Sequence, residues 1–184
     1  MSPNKPIRRI AIIGTGVIGA SWTSLFLAKG LDVVATDVAP GAEAALKRFV
    51  STAWPALQRL GLASGASQNR LSFTAALTEA VKDVDLVQEN GPEKIEFKKA
   101  LYQQLDELLH PGVIIASSSS GLTMSEIQLG AAIHPERCVI AHPFNPPHLI
   151  PLVEIVVGAK TSEATIRRAG ANSGSAKETH RQRA

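Results

Sequence analysis

One histidine and one carboxylate in AHPFNPPHLIPLVEIVVG, residues 141–158, have the types and spacing for acid–base chemistry. His142 stands in a proline-rich stretch that reads as a rigid loop, and Glu154 follows in an apolar, strand-like run. Leu152, Val153, Ile155, Val156 and Val157 read as buried, so a lone charge among them needs a partner or costs several kcal/mol. A carboxylate on one ring nitrogen of a histidine fixes its tautomer and makes the other nitrogen a base. The same residues also admit a solvent-facing Glu154 on an edge strand and a purely structural His142.

Such a pair works only if other elements bring a substrate to it, and the amino-terminal end supplies a candidate frame. Residues 8–13 (RRIAII) read as a short buried strand, followed by Gly14-Thr15-Gly16-Val17-Ile18-Gly19 and an apolar helix pattern to Gly30. Strand, G-x-G-x-x-G, helix is the context that a dinucleotide fingerprint requires. Gly14 permits the tight turn, Gly16 lets backbone approach a pyrophosphate, and Gly19 allows close helix–strand packing. The pyrophosphate then rests on the N–H groups at the helix start, where Val17 and Ile18 stand. A second strand over residues 31–36 ends at Asp37, whose carboxylate suits an adenosine ribose and repels a 2′-phosphate, favouring NAD over NADP. The alternative is a glycine-rich turn in some other α/β protein.

The 184 residues suffice for one ordinary domain with a real core. An apolar share of 45% with modest charge fits a globular chain, and no apolar run reaches membrane-spanning length. The start, MSPNKPIRR, lacks a signal-peptide core, and with a single cysteine no intrachain disulfide forms, so a cytoplasmic location is expected. Cys138, in the apolar run CVIA, reads as core rather than nucleophile. Of the net charge of +3, the last fourteen residues carry two, through Lys177, Arg181 and Arg183 against Glu178. No basic stripe with interleaved aromatics points to nucleic acid, and no histidine or acid cluster has metal-ligand spacing.

Between the two ends the pattern alternates strand and helix, which predicts an α/β fold with a mainly parallel sheet covered on both faces. Residues 40–60 read as helix with a break or kink at Pro55, 71–74 as strand and 75–81 as short helix. Residues 84–88 read as strand and 93–109 as the clearest amphipathic helix, with Glu93 and Glu96 in its first turn. Residues 113–116 read as strand, the serines 117–120 as a polar turn, 124–133 as helix, and 137–141 as strand, before the HPFNPP loop and a final strand. The glycine loop, the serines and His142 then fall along the carboxyl edge of one sheet, where open α/β sheets bind ligands.

With GTGVIG, VQENGPEKIEFKKALYQQLDE, ASSSSGL and AHPFNPPHLIPLVEIV in hand, the chain resembles the 3-hydroxyacyl-CoA dehydrogenase superfamily over residues 6–168. The nearer likeness is to its gulonate 3-dehydrogenase and lambda-crystallin branch, with carnitine 3-dehydrogenases close by. The resemblance implies a Rossmann-type NAD-binding domain, NAD as cofactor, His142 as catalytic base, Glu154 as the acid that orients it, and Ser120 as the serine that holds the reacting oxygen. It also implies that Asn145, Glu93 and Lys98 face the nicotinamide half of the cofactor, with Glu93 and Lys98 on neighbouring turns of one helix. The reaction implied is oxidation of the 3-hydroxyl of an L-3-hydroxy acid. Alternatives are a 3-hydroxyacyl-CoA dehydrogenase of fatty-acid metabolism, or a non-catalytic, crystallin-like NAD-binding protein. SSSSG and HPF, where the CoA-ester branch usually has SNTSS and HFF, favour a small free acid.

Past Arg168 the likeness stops, and AGANSGSAKETHRQRA reads as a disordered tail over 169–184. The family continues into an all-helical domain that completes the substrate site and forms a homodimer. Its opening PGFxxNRL pattern is missing, so a truncated or frameshifted chain of weak or no turnover is expected.

Overall fold

The computed structural model describes residues 6–172 and 176–178, with side chains from 6 to 170. Eight strands make one sheet: β1 (Arg9–Ile13), β2 (Asp32–Thr36), β3 (Leu71–Phe73), β4 (Leu86–Glu89), β5 (Ile114–Ser117), β6 (Cys138–Pro143), β7 (Val153–Val156) and β8 (Ala176–Glu178). Their order is β3-β2-β1-β4-β5-β6-β7-β8. The first six run parallel, and β7 and β8 run opposite to them. The chain leaves β1 toward one edge and returns through β4 toward the other, so the sheet's switch point lies between β1 and β4, where ligands bind in such folds.

Strand alternation sorts the side chains into two cores. Ile10, Ile12, Ile114, Ala116, Val139 and Ala141 face the helices α1 (Val17–Ala28), α2 (Ala42–Leu60) and α6 (Glu163–Asn172). Ala11, Ile13, Ile115, Cys138 and Ile140 face α3 (Leu77–Ala80), α4 (Ile95–Leu108) and α5 (Met124–Ile127). This is the doubly wound α/β architecture expected. Cys138 is wholly buried, and burial pushes its thiol up to about 12, which suits core packing.

Several expectations need correction. The helix over 42–60 runs continuously through Pro55. The helix expected over 124–133 ends at Ile127: the N–H groups of Leu129, Gly130 and Ala131 turn back to carbonyls three residues earlier, and further on the Asp106 carboxylate accepts from the N–H groups of Ile133 and His134 at 2.6 and 3.1 Å. The tail expected to be disordered from residue 169 is helical through Asn172, and residues 176–178 pair parallel with β7, whose open edge supplies ladder partners that the local pattern does not announce. The rest of that tail lies outside the described residues.

Candidate functional site

Gly14 ends β1 with φ +82°, a conformation that glycine alone adopts freely, and a Cβ there would stand 2.8 Å from the Asn90 carbonyl oxygen. Asn90 follows β4, so this close approach joins the two strand ends of the switch point; the Asn90 N–H donates to Ile13 at 2.8 Å. At Gly19 a Cβ would collide with the Gly14 carbonyl, which is the helix–strand contact the fingerprint requires. A Cβ at Gly16 would meet nothing within 4 Å. Gly16 is also the N-cap of α1, with no side-chain cap and no acid in the first turn. The N–H groups at the start of α1, at Val17 and Ile18, thus have no side-chain cap, as an anion cradle requires.

Asp37 stands directly after β2 and accepts hydrogen bonds from the Thr15 N–H at 2.6 Å, the Thr15 hydroxyl at 2.9 Å and the Ala39 N–H at 2.9 Å. Burial works to raise its pKa, but these donors outweigh it and hold the carboxyl below its ordinary value. The group is therefore an anion at neutral pH, tied to the glycine loop it borders. An open backbone cradle beside a fixed carboxylate fits a dinucleotide with a free ribose.

At the other end of the rim, β6 and β7 pair antiparallel with His142 directly opposite Glu154. Nδ1 of His142 lies 3.3 Å from Oε2 of Glu154. The alternation puts both on the same side of the sheet as Ile140 and Val156, facing the α4–α5 layer. Two sequence expectations change here. His142 belongs to the strand rather than to a loop, and Glu154 is half-buried, its side chain 43% exposed against 33% for His142. β7 alternates between buried and intermediate residues, so the apolar run around Glu154 is buried on one face only. The pair still forms, because the register imposes it rather than the need to neutralise a deeply buried charge.

Between these ends lie the serines. Ser117 pairs in register with Ile140, which sets the turn after β5 beside the end of β6. Glu93 organises that turn: its Oε1 accepts from the Ser119 hydroxyl at 2.5 Å and from the backbone N–H groups of Ser120, Gly121 and Leu122 at 3.1, 2.8 and 3.2 Å. Burial acts to raise the Glu93 pKa, yet these donors and the charge of Lys98 hold it below its usual value. Ser120 is left exposed at the rim. Glu93 itself lies in the loop before α4 rather than in its first turn. It therefore does not share neighbouring helical turns with Lys98.

Lys98 sits on the buried stripe of α4 with Leu101, Tyr102 and Leu105, 1% exposed. Its ammonium lies 2.8 and 2.9 Å from the two oxygens of the fully buried Glu89 and 3.7 Å from Glu93. Glu89 also accepts from Gly91 N–H and the Ser117 hydroxyl, both at 2.6 Å. A buried pair is tolerable when its remaining donors and acceptors are filled, and here they tie the loops after β4 and β5 together. Ser118 does the same nearby, accepting from Gln88 at 2.8 Å and Trp22 at 3.0 Å and donating to Asn90 at 2.8 Å. Glu89, Gln88 and Trp22 escaped the sequence reading; a carboxylate ending an apolar strand was the one signal available for Glu89. Asn145 lies exposed two residues past β6.

The family model described as 3-hydroxyacyl-CoA dehydrogenase, NAD binding domain, matches residues 9–179. L-carnitine dehydrogenase of Streptomyces griseus is 52% identical over 160 residues, covering 87% of this chain and 48% of that protein. Its namesake in Streptomyces coelicolor is 51% identical over 166 residues, covering 90% and 52%. The chain thus spans about half the length of the curated relatives it matches. Among solved structures, 5-formyl-3-hydroxy-2-methylpyridine 4-carboxylic acid 5-dehydrogenase superposes with a TM-score of 0.85 at 38% identity, over 94% of this chain and 57% of that one. For 3-hydroxybutyryl-CoA dehydrogenase from Escherichia coli K12 the TM-score is 0.86 at 25% identity, over 96% and 39%. With the glycine cradle, the Asp37 anion and the His142–Glu154 register already in place, the chain belongs to the NAD-binding domain family of the 3-hydroxyacyl-CoA dehydrogenases.

Proposed function

We propose that this chain carries the cofactor site and the catalytic base of a dehydrogenase that oxidises the 3-hydroxyl of a small, free L-3-hydroxy acid. The observation that carries this reading is the His142–Glu154 pair at 3.3 Å on the ligand-binding edge of the sheet. With Nδ1 turned to the carboxylate, Nε2 is the nitrogen left to take the hydroxyl proton, and general-base help of this kind is worth about 10²–10⁴-fold. Glu154 then stabilises the imidazolium, and Ser120 holds the substrate oxygen in line. NAD, when bound, accepts the hydride that leaves with the proton. Gly14, Gly16, Val17, Ile18 and Gly19 would hold its pyrophosphate and Asp37 its adenosine ribose, while Asn145 and Glu93 serve the nicotinamide half. Lys98, buried as it is, serves that half by bracing Glu93 and Glu89.

The identity of about half to L-carnitine dehydrogenases, whose named substrate is a free 3-hydroxy acid, favours a free acid over a thioester. The match to the 3-hydroxyacyl-CoA dehydrogenase family model supports the thioester as the second reading. The test is NADH formation with carnitine, gulonate, 3-hydroxybutyrate and 3-hydroxybutyryl-CoA, with His142→Ala as control. Turnover of a free acid, lost in His142→Ala, is expected from the complete site; turnover of the CoA ester alone would replace the leading reading with the second. Because the chain spans half its relatives' length, we expect the 184-residue chain to bind NAD and to turn over weakly. Silence on every substrate, with NAD binding retained, would assign it a binding role.

A further inference from the structure

The loop between His142 and Glu154 must be held in place if its residues are to meet the cofactor, and its backbone does little of this. Phe144 N–H donates to Leu152 at 3.0 Å and closes the base of the loop, and Leu149 and Ile150 donate back to Pro146. Phe144, Leu149 and Ile150 are exposed. A hydrogen-bonded tie to the body of the protein runs through His148, next to the buried Pro147. Its Nδ1 lies 2.6 Å from Ser21 Oγ, and its backbone N–H donates to the same oxygen at 3.1 Å. Ser21 is fully buried on α1, one turn after the glycine cradle. Phe49 of α2 meets the imidazole edge-on, 5.6 Å between centroids.

Ser21 differs from its neighbours in how it uses its hydroxyl. Thr23 and Ser24 return theirs to the helix carbonyls of Gly19 and Ala20 at 2.8 and 2.9 Å, the ordinary fate of a buried hydroxyl in a helix. Ser21 instead reaches a segment 127 residues away. A hydroxyl carries one hydrogen and two lone pairs, so this one oxygen accepts the His148 backbone N–H and still meets Nδ1, donating to it when the ring proton sits on Nε2. α1 is also the helix whose first N–H groups form the anion cradle, and it is buried along Gly19 to Ala28.

We propose that Ser21 and His148 form a latch that positions the 144–151 loop, and with it Asn145, against the nicotinamide end of a cofactor held on the same helix. Both are positioning residues: they touch neither substrate nor cofactor. The proposal rests on the NAD-dehydrogenase reading. Small displacements of positioning groups are costly where reacting atoms must align, and the latch makes cradle and loop parts of one rigid body.

The test compares NAD+ with ADP-ribose, which lacks the nicotinamide, by calorimetric titration of the 184-residue chain and of Ser21→Ala, His148→Ala and His148→Asn. NAD+ binding is expected to weaken roughly threefold to tenfold in Ser21→Ala, the range of one net hydrogen bond, with a smaller loss in His148→Ala, which keeps the backbone bond. ADP-ribose affinity stays unchanged, which also shows that each variant is folded. His148→Asn, whose amide oxygen can accept from Ser21, restores most of the NAD+ affinity. Amide hydrogen exchange across residues 144–152 rises in Ser21→Ala. Equal losses for both ligands, no loss for either, or faster exchange without a NAD+ effect would each overturn the latch. Failure of the wild-type chain to bind either ligand would instead overturn the NAD reading beneath it.

Discussion

A half-buried imidazole whose partners carry no charge resists protonation. Burial of His148 lowers its pKa from the ordinary 6.5, and its neighbours Ser21 and Phe49 carry no charge to offset this. Below about pH 6.5 the unfolded chain takes up a proton that the folded chain still refuses, so the unfolded state gains relative stability as pH falls. The contribution of His148 is therefore complete above about pH 6.5 and is lost as pH falls toward its folded pKa. Asp37 and Glu93, whose pKa values lie below their ordinary range, lose their contributions only in the more acidic carboxylate range. Urea-denaturation midpoints between about pH 7.5 and 5.5 should thus fall in the wild type and fall less in His148→Asn. Equal slopes in the two proteins would show that His148 is not kept neutral by burial.

At the scale of elements, one buried cation ties the end of α4 to the turn that follows α5. Arg137 lies 2.7 Å from Asp106 and donates to the carbonyls of Asp106, Leu109 and His110 at 3.0, 3.2 and 2.7 Å, capping the last turn of α4. The Asp106 oxygens in turn take the N–H groups of Ile133 and His134, in the turn that follows α5. Arg137→Ala leaves Asp106 almost fully buried without its cation and should cost about 3–5 kcal/mol of unfolding free energy, measured by urea denaturation at neutral pH. A loss below about 1 kcal/mol would mean that the pair behaves as a solvated surface bridge. The same interaction marks what a sequence conceals. β1, α1 and β2 are legible because glycine spacing and apolar period are local properties, and α4 because its stripe repeats every three to four residues. The shortness of α5 is not legible, because the turn that follows it is held by a carboxylate from α4. Nor is the strand character of His142, which depends on pairing with Glu154 across a proline-rich loop. Glu93 was a candidate site carboxylate by resemblance, whereas its grip on the serine turn, through three backbone N–H groups and a hydroxyl, depends on β4 and β5 being neighbours.

For the whole molecule, the consequence of this arrangement is that cofactor binding and folding are linked. The cradle at Gly16, the β1–β4 switch point and Asp37 come together only in the folded sheet, so a ligand that fits them stabilises the fold by mass action. At a concentration one hundredfold above its dissociation constant the gain is about 2.7 kcal/mol, or roughly 5–11 °C of Tm for a domain approaching two hundred residues. NAD+ should produce such a shift in scanning calorimetry. NADP+ at equal concentration should produce a smaller one, because Asp37 is held ionised by Thr15 and Ala39 and faces an added phosphate charge. Asp37→Asn removes the charge while keeping an acceptor for Thr15, so it should narrow the gap from both sides, weakening NAD+ and improving NADP+. Equal shifts from the two cofactors in the wild type would mean that Asp37 does not face the ribose, and that its bonds to Thr15 serve only to brace the glycine loop.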